Sequence, residues 1–341
     1  MSTPILFALT DHLESPRERP SAEVFEEVAS YVRLADQLRF DYYFFTEHHA
    51  HAHYGHMPTP LLFALHLAGQ TEQIHLGTAI ICLNLHNPLS VAEHVAVADH
   101  LMKGRFAPGF GSGSTPEEFA LFGQEITKET VRHERFQEAL RLITDAWRGE
   151  VRETGPHFPT PAHAPLPVAA PDLRSRSWLA VNSAGSARIA GAMGFNMLYS
   201  HLRTPAQYRE YRQAYIDAGG QGLIAANRPV YVGADDTSAQ RDAEEPIRTL
   251  WRRFRSEGKI PASTPEPQDI QEVCGHPLNF LLGGPDTVAR QIAELRAEAY
   301  FDVINLEPNW AGLEPKQIQS SISLLATEVR PRLNRIEDWS P

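Results

Sequence analysis

The sequence predicts an α/β fold, a (β/α)8 TIM barrel with insertions in its βα-loops. Three observations carry that expectation. Short aliphatic, aromatic and β-branched runs alternate with longer segments of helical periodicity, about eight times along the 341 residues. Such alternation implies parallel neighbours, because a parallel pair needs a crossover and a helix provides it. The first strand runs into Asp11-His12-Leu13-Glu14 and not into a glycine-rich dinucleotide turn, which favours a closed barrel over a doubly wound open sheet.

Each element has its own signal. Residues 4–10 (PILFALT) read as the first strand. Ser21 then caps a helix in which Val24, Phe25, Val28, Tyr31, Val32 and Ala35 recur at helical spacing, with Glu23 and Glu26 near its positive pole. Residues 41–46 form the second strand, 59–69 the second helix and 74–81 the third strand. Pro88 opens a helix through Met102 that Lys103-Gly104 ends. A short fourth strand at 106–111 precedes the strongly periodic helix Glu129–Trp147. Residues 155–171 carry six prolines, so they form an extended surface connection and neither a helix nor a central strand. Strands then follow at 177–181, 196–200, 229–233 and 302–306, with helices at 186–193, 205–218, 238–256, 285–297 and 315–329. The whole of 1–341 reads as one domain, with 150–176 and 257–284 as crossover and insertion loops.

Composition narrows the function. Lys plus Arg number 31 and Asp plus Glu 42, a formal charge of −11, which lacks the basic footprint of a nucleic-acid binder. Two cysteines cannot make a disulfide framework, so a reducing compartment is the default. No basic cluster precedes an apolar run at the N-terminus, and the longest uncharged stretch, 76–92, contains Asn84, His86, Asn87 and Pro88, so neither a secretory signal nor a transmembrane span is expected. A soluble cytoplasmic enzyme with no membrane partner is the leading class.

In a barrel, chemistry sits where strands end. Those ends read Thr46-Glu47-His48-His49 (then His51, His53 and His56), Ala79-Ile80 toward Asn84 and His86, Gly111-Ser112-Gly113-Ser114, Asn182-Ser183-Ala184-Gly185-Ser186, Ser200-His201 and Glu307. The histidine-rich segment reads as a solvated loop, as a metal site through the His51-x-His53 pair, or as a functional Glu47-His48 pair in which an imidazole titrating near neutrality moves protons and the carboxylate orients its neighbours. Metal-dependent barrel hydrolases need further ligands at later strand ends, where this chain offers Asn182-Ser183 and Glu307, so no metal is expected. Gly109-x-Gly111-x-Gly113 matches neither a P-loop nor G-x-G-x-x-G; it suits a backbone approached closely by something flat. Ser183 and Ser186 start a helix, as N-caps or, with free backbone N–H groups, as a phosphate site. Phe7, Tyr42, Phe44, Phe110 and Trp310 fit either an apolar pocket at the mouth or the core.

At these residues the sequence resembles the bacterial luciferase-like flavin-dependent monooxygenases. The likeness is clearest in FFTEHH, PTPLLFALHLAGQT, IHLGTAI, HNPLSVAEHVAVADHLMKGRF, GFGSG and EFALFG, and continues through WLAVNSAGSARIAGAMGFNMLYS and GGPDTVARQIAEL. The resemblance implies a (β/α)8 barrel in which reduced FMN activates O2 through a flavin C4a-(hydro)peroxide and oxygenates a small organic substrate. It implies His48, of the Glu47-His48 pair, as the active-site histidine, a base or a hydrogen-bond partner to the flavin–oxygen intermediate, and a non-prolyl cis peptide between Ala79 and Ile80 against the flavin ring. It also implies Gly111 and Ser112 near the flavin, Asn182, Ser183 and Ser186 on the phosphate side, and Ser200 on the sixth strand. Reducing power would come from NAD(P)H, directly or through a separate flavin reductase, and a homodimer would pair through the helices at 59–69 and 88–102.

Bacterial luciferase has an arginine where Ser112 stands, a glutamate at Asn182 and a cysteine at Gly111. Losing that guanidinium removes a charge-assisted phosphate contact, so phosphate recognition would rest on another basic residue such as Arg174, Arg176 or Arg203. Three alternatives remain: a non-catalytic flavin-binding or partner subunit, an F420-dependent oxidoreductase, and a metal-dependent barrel hydrolase.

Overall fold

The computed structural model describes residues 4–15, 19–49, 56–113, 115–124, 128–151, 155–161, 164–165, 170, 172–310 and 312–335. Its strands are β1 (Leu6–Asp11), β2 (Tyr42–Phe45), β3 (His75–Thr78, resuming as Ile81–Cys82), β4 (Phe106–Ala107, resuming as Gly109–Gly111), β5 (Trp178–Val181), β6 (Asn196–Tyr199), β7 (Ile224–Val232) and β8 (Val303–Glu307). These eight pair in parallel and close on themselves, while outside the barrel Glu150–Val151 pairs antiparallel with Ala164–Pro165. Ala8 lies opposite Tyr42, Tyr43 opposite Leu76, Leu76 opposite Phe106 and Ile81 opposite Phe110. Phe110 then meets Leu179, Leu179 meets Met197, Met197 meets Ile224, Ala225 meets Val303 and Val303 returns to Leu6. The predicted (β/α)8 barrel is the observed fold.

The period of two along each strand sorts side chains into two cores. Phe7, Leu9, Tyr43, Phe45, Ile304 and Leu306 face the helices in the main apolar cluster. Ala8, Phe44, Ala107, Trp178, Leu198, Ala225 and Val303 form a separate cluster inside the barrel. Above them sits a polar layer: Asn305 exchanges hydrogen bonds with the Thr10 hydroxyl at 2.7 and 3.0 Å and donates to Asn227 Oδ1 at 3.2 Å. Gly77 is obligatory here, because a Cβ on it would stand 2.2 Å from the Ala107 carbonyl oxygen and 2.6 Å from the Phe44 ring.

At the bottom of the barrel Arg176 reaches both Asp99 oxygens, at 2.5 and 2.8 Å, and the Gly104 carbonyl at 2.9 Å. The helix Pro88–Leu101 is capped by the Asn87 side chain, which accepts from the Leu89 and Ser90 N–H groups, and it ends with Lys103 and Gly104 at φ of 55° and 79°. Both cysteines are buried and free. No helix of the described residues is long and apolar enough to cross a membrane.

Four sequence expectations need correction. Strand β7 starts at Ile224 and not at 229; its first half pairs β8 and its end pairs a short strand, Leu281–Gly283. Ala225, Ala226 and Asn227 lack strand-forming bulk, and Pro229 mimics a strand start, which hides the true beginning. The stretch expected to be irregular, 257–284, contains the helix Ile270–Cys274 as well as that strand, and both pack on the helix Asp236–Ser256 in a second apolar cluster. Ser21 is the first helical residue, not a cap; its hydroxyl meets His56 Nδ1 at 3.0 Å. The short helix Pro116–Leu121 had no periodic signal of its own.

Candidate active site

Strand alternation decides which residues reach the mouth. Phe44 lies inside the barrel and Phe45 outside, so beyond β2 Thr46 and His48 turn inward and Glu47 turns outward. His48 Nδ1 lies 3.3 Å from Glu118 Oε1, and the same oxygen accepts the His49 N–H at 2.9 Å. Burial pushes the His48 imidazole below its usual range, as does neighbouring His12, while Glu118 pulls the other way. Glu118 itself is held below the carboxylate range by these bonds, against its burial. An ionised carboxylate only accepts, so Nδ1 of His48 carries the proton and Nε2 is the basic nitrogen.

Glu47 is therefore not beside His48 in the mouth. Its Oε1 accepts from His49 Nε2 at 2.9 Å and His86 Nε2 at 2.7 Å, and its Oε2 from the Cys82 N–H at 3.2 Å. These bonds hold the carboxylate below its usual range although burial would raise it. Ligand atoms of Glu47, His49 and His86 lie within 4.8 Å of one another, a set able to hold a cation although none was expected. Glu47 and His86 floor an apolar hollow of about 380 Å³ between the helices Pro60–Ala68 and Pro88–Leu101, on the outer wall. Of the other loop histidines, His56 is buried; His51 and His53, with Ser114, lie outside the described residues.

The β7–β8–β1 side carries a second buried carboxylate. Glu307 Oε1 receives the Asn227 amide, with His201 Nδ1 at 3.3 Å and His12 Nε2 at 3.6 Å. Burial would raise Glu307, but His201 and His12 outweigh it and hold the group well below the carboxylate range. Burial would lower His12; Glu307 reverses this and holds it above 6.5. The His12 and His48 rings stack at 6.0 Å, which joins the two clusters. Nearby Asp11 is pushed up to about 6 by burial, against bonds from the Leu13 N–H at 2.6 Å and Asn309 at 3.1 Å. In the sequence His201 and Glu307 stood at strand ends without an assigned role, and neither His12 nor Glu118 was singled out as a site residue. Three of these four stand at strand ends, and that position was the available signal; Glu118 opens the EFALFG segment of the resemblance, but nothing there tied it to His48.

The β3–β4–β5 side is different in kind. The Ala79–Ile80 peptide is cis, as the resemblance implied, and both residues are half-buried. Gly111 is buried against Ile80, whose side chain would stand 2.8 Å from any Cβ at that position. Beyond them, Ser112, Asn182, Ser183, Ser186, Arg132 and Arg203 line a hollow of about 550 Å³. Both Ser183 and Ser186 serve a reciprocal capping box: Ser186 N–H donates to Ser183 Oγ at 3.2 Å, and Ser186 Oγ accepts the Asn182 and Ser183 N–H groups at 3.2 and 3.1 Å. Ser200 is half-buried at the end of β6, and its hydroxyl accepts the Leu202 N–H at 3.3 Å.

Of the three arginines considered, Arg203 alone reaches this hollow. Arg176 is bound to Asp99 at the other end of the barrel, and Arg174 lies beside Gly194. Of the five aromatic candidates only Trp310 stands at the mouth, 6.2 Å from His12. Phe44 and Tyr42 pack on Trp178 inside the barrel, while Phe7 and Phe110 pack outward on Phe40 and Trp147.

Comparison with known proteins agrees with this architecture. The family model described as luciferase-like monooxygenase matches residues 5–302. The protein y4wF of Sinorhizobium fredii is 33% identical over 196 residues, 57% of this chain and 55% of that protein, so the chain spans about half the length of that relative. The oxygenase component of the flavin-dependent trigonelline monooxygenase of Acinetobacter baylyi is 22% identical over 95% of this chain and 94% of its own. Among solved structures, the oxygenating constituent of 3,6-diketocamphane monooxygenase from Pseudomonas putida, in complex with FMN, superposes with a TM-score of 0.79 at 20% identity, covering 97% of this chain and 99% of that one. F420-dependent enzymes are among the matches as well. With the family model spanning most of the sequence and the barrel closed as described, the chain belongs to the luciferase-like monooxygenase family.

Proposed function

We propose that this protein is an FMN-dependent monooxygenase that uses reduced FMN and O2 to oxygenate a small organic substrate. The observation that carries the reading is the two-sided mouth. A shelf formed by Ala79, Ile80 and Gly111 runs toward a basic hollow, and at the end of the neighbouring strand β2 stands a neutral imidazole held by a carboxylate. The residues fit the cofactor on a local test: Arg203 Nε is buried with no hydrogen-bond partner among the described residues, and Arg203 lines the hollow that Ser112, Asn182, Ser183 and Ser186 share. Ala79, Ile80 and Gly111 would lie along the ring, and Arg203, with Arg132, would take the place of a guanidinium missing at Ser112, with Ser200 at the edge. Reduced flavin, when bound, supplies the electrons that activate oxygen.

The chain's own part is positioning and proton handling. His48, with Nδ1–H fixed on Glu118, presents Nε2 to hold or move a proton at the reacting centre. Glu47 acts at a distance, by anchoring His49 and His86 and so the turn that carries His48.

Reduced flavin would come from NAD(P)H through a separate reductase, a reading supported by a relative named as an oxygenase component. A homodimer would pair through the helices Pro60–Ala68 and Pro88–Leu101, which expose Leu62 and Val97 at the apolar hollow and Leu101 at the end of the second helix.

Titration of the protein with oxidised and reduced FMN, with F420 in parallel, tests the cofactor. Saturable perturbation of the flavin spectrum and flavin-dependent substrate oxygenation are expected with FMN. Replacing His48 by Ala should lower coupled oxygenation about 100-fold or more. Binding of F420 in place of FMN, or unchanged turnover in the His48→Ala variant, would overturn the proposal.

A further inference from the structure

Glu307 ends β8 at an inward position, since Val303 and Asn305 before it face the barrel interior. Its side chain is 1% exposed. One oxygen, Oε1, takes every contact the group makes: the Asn227 amide, His201 and His12. The other, Oε2, is buried and has no hydrogen-bond partner among the described residues; nor does His201 Nε2, on the far edge of the same imidazole. Flat rings wall the place. Trp310 stands 6.5 Å from His201 at right angles and is fixed by its indole N–H on the Glu307 carbonyl at 2.6 Å, while Phe254 stacks on His201 at 6.1 Å.

Leaving a buried carboxylate oxygen unpaired is costly, and a donor brought from outside recovers that cost. Trp310 and Phe254 border the place with flat rings, and a molecule entering it meets at Glu307 Oε2 a strong directional partner that accepts and never donates. The carboxylate is held ionised by His201 and His12, so the acceptor persists across the neutral range.

We infer that Glu307 is the substrate-recognition residue of the mouth: it accepts a hydrogen bond from an N–H or O–H on a flat, ring-bearing substrate, a phenol or an aryl amine, and turns away carboxylates. The role in oxygenation rests on the function proposed above; the binding preference does not.

Calorimetric titration of the purified protein with phenol, aniline, anisole, N,N-dimethylaniline and benzoate tests it. Phenol and aniline should bind about tenfold or more tighter than their methyl-capped partners, and benzoate should not bind. Glu307→Gln, which turns an amide N–H toward the ligand, should reduce that preference to near unity while leaving FMN affinity in place. Equal binding of capped and uncapped rings by the wild type, or no saturable binding of any of them up to the millimolar range, overturns the inference, whatever becomes of the variant's folding. FMN binding measured on the same sample separates the two failures. A protein that binds FMN but ignores the donor has lost this inference alone, and one that prefers the donor but binds no FMN has lost only the cofactor reading.

Discussion

At the scale of single residues, the site is a set of carboxylates that tell imidazoles which nitrogen to protonate. Glu118 does this for His48, Glu47 for His49 and His86, and Glu307 for His12 and His201. The pH dependence follows. His48 is held below its usual range, so its basic form predominates at neutral pH and activity should fall as the medium is acidified through that lowered value. Glu118 raises the imidazole, so Glu118→Gln should carry the acid limb to still lower pH, with a smaller plateau from the loosened ring. A pH–rate profile of kcat checks this; a limb that moved upward, or stayed in place, would mean that Glu118 does not govern His48.

His48, the histidine proposed to handle protons, was legible in the sequence because a strand end in a barrel is a privileged place and TEHH stands on one. Its partner was not legible. Glu118 lies seventy positions away on a six-residue helix too short to announce itself, and only the closed fold brings the two together. Glu47 misled for the opposite reason. It adjoins His48 in sequence, but neighbours along a strand point to opposite faces, so adjacency guaranteed separation.

At the scale of elements, the half of the mouth formed by β3, β4 and β5 is made by what is missing from it. Glycine at 77 and 111 and alanine at 79 let backbone and ring edges approach where larger side chains would fill the space. The arginine at the end of β6, Arg203, supplies charge to that half from the loop behind it. Arg203→Ala should weaken FMN binding about tenfold or more, as expected for a lost charge-assisted contact, with little change in thermal stability. Fluorescence titration against FMN and against riboflavin, which has no phosphate, separates the cases. An equal loss for both ligands would show that Arg203 does not meet the phosphate. Element boundaries were mostly readable, since caps and prolines mark helices locally; β7 was not, because small residues buried on both sides carry neither alternation nor bulk.

At the scale of the molecule, the barrel separates its tasks along its axis. The lower end is braced by Arg176 and Asp99 and the upper end carries the titrating groups, so substitutions at the two ends should register in different measurements. The outer wall adds a third region, the apolar hollow with Leu62 and Val97 at its rim, 61% and 45% exposed. If two chains pair there, Leu62→Glu combined with Val97→Glu should yield a monomer by light scattering at concentrations where the wild type is a dimer. A wild type that is monomeric, or a variant still paired, would place the contact elsewhere.

The layer beneath the mouth has a direction. Because a carboxylate at 307 can only receive, the amide of Asn227 must turn its nitrogen upward and its oxygen down, and Asn305 must answer with its own nitrogen, which fixes Thr10 below. The floor of the barrel is thus polarised from above, like a row of compass needles set by one magnet. Removing the charge at the top frees every needle to swing, and the disturbance would reach the apolar interior without any atom there having been changed.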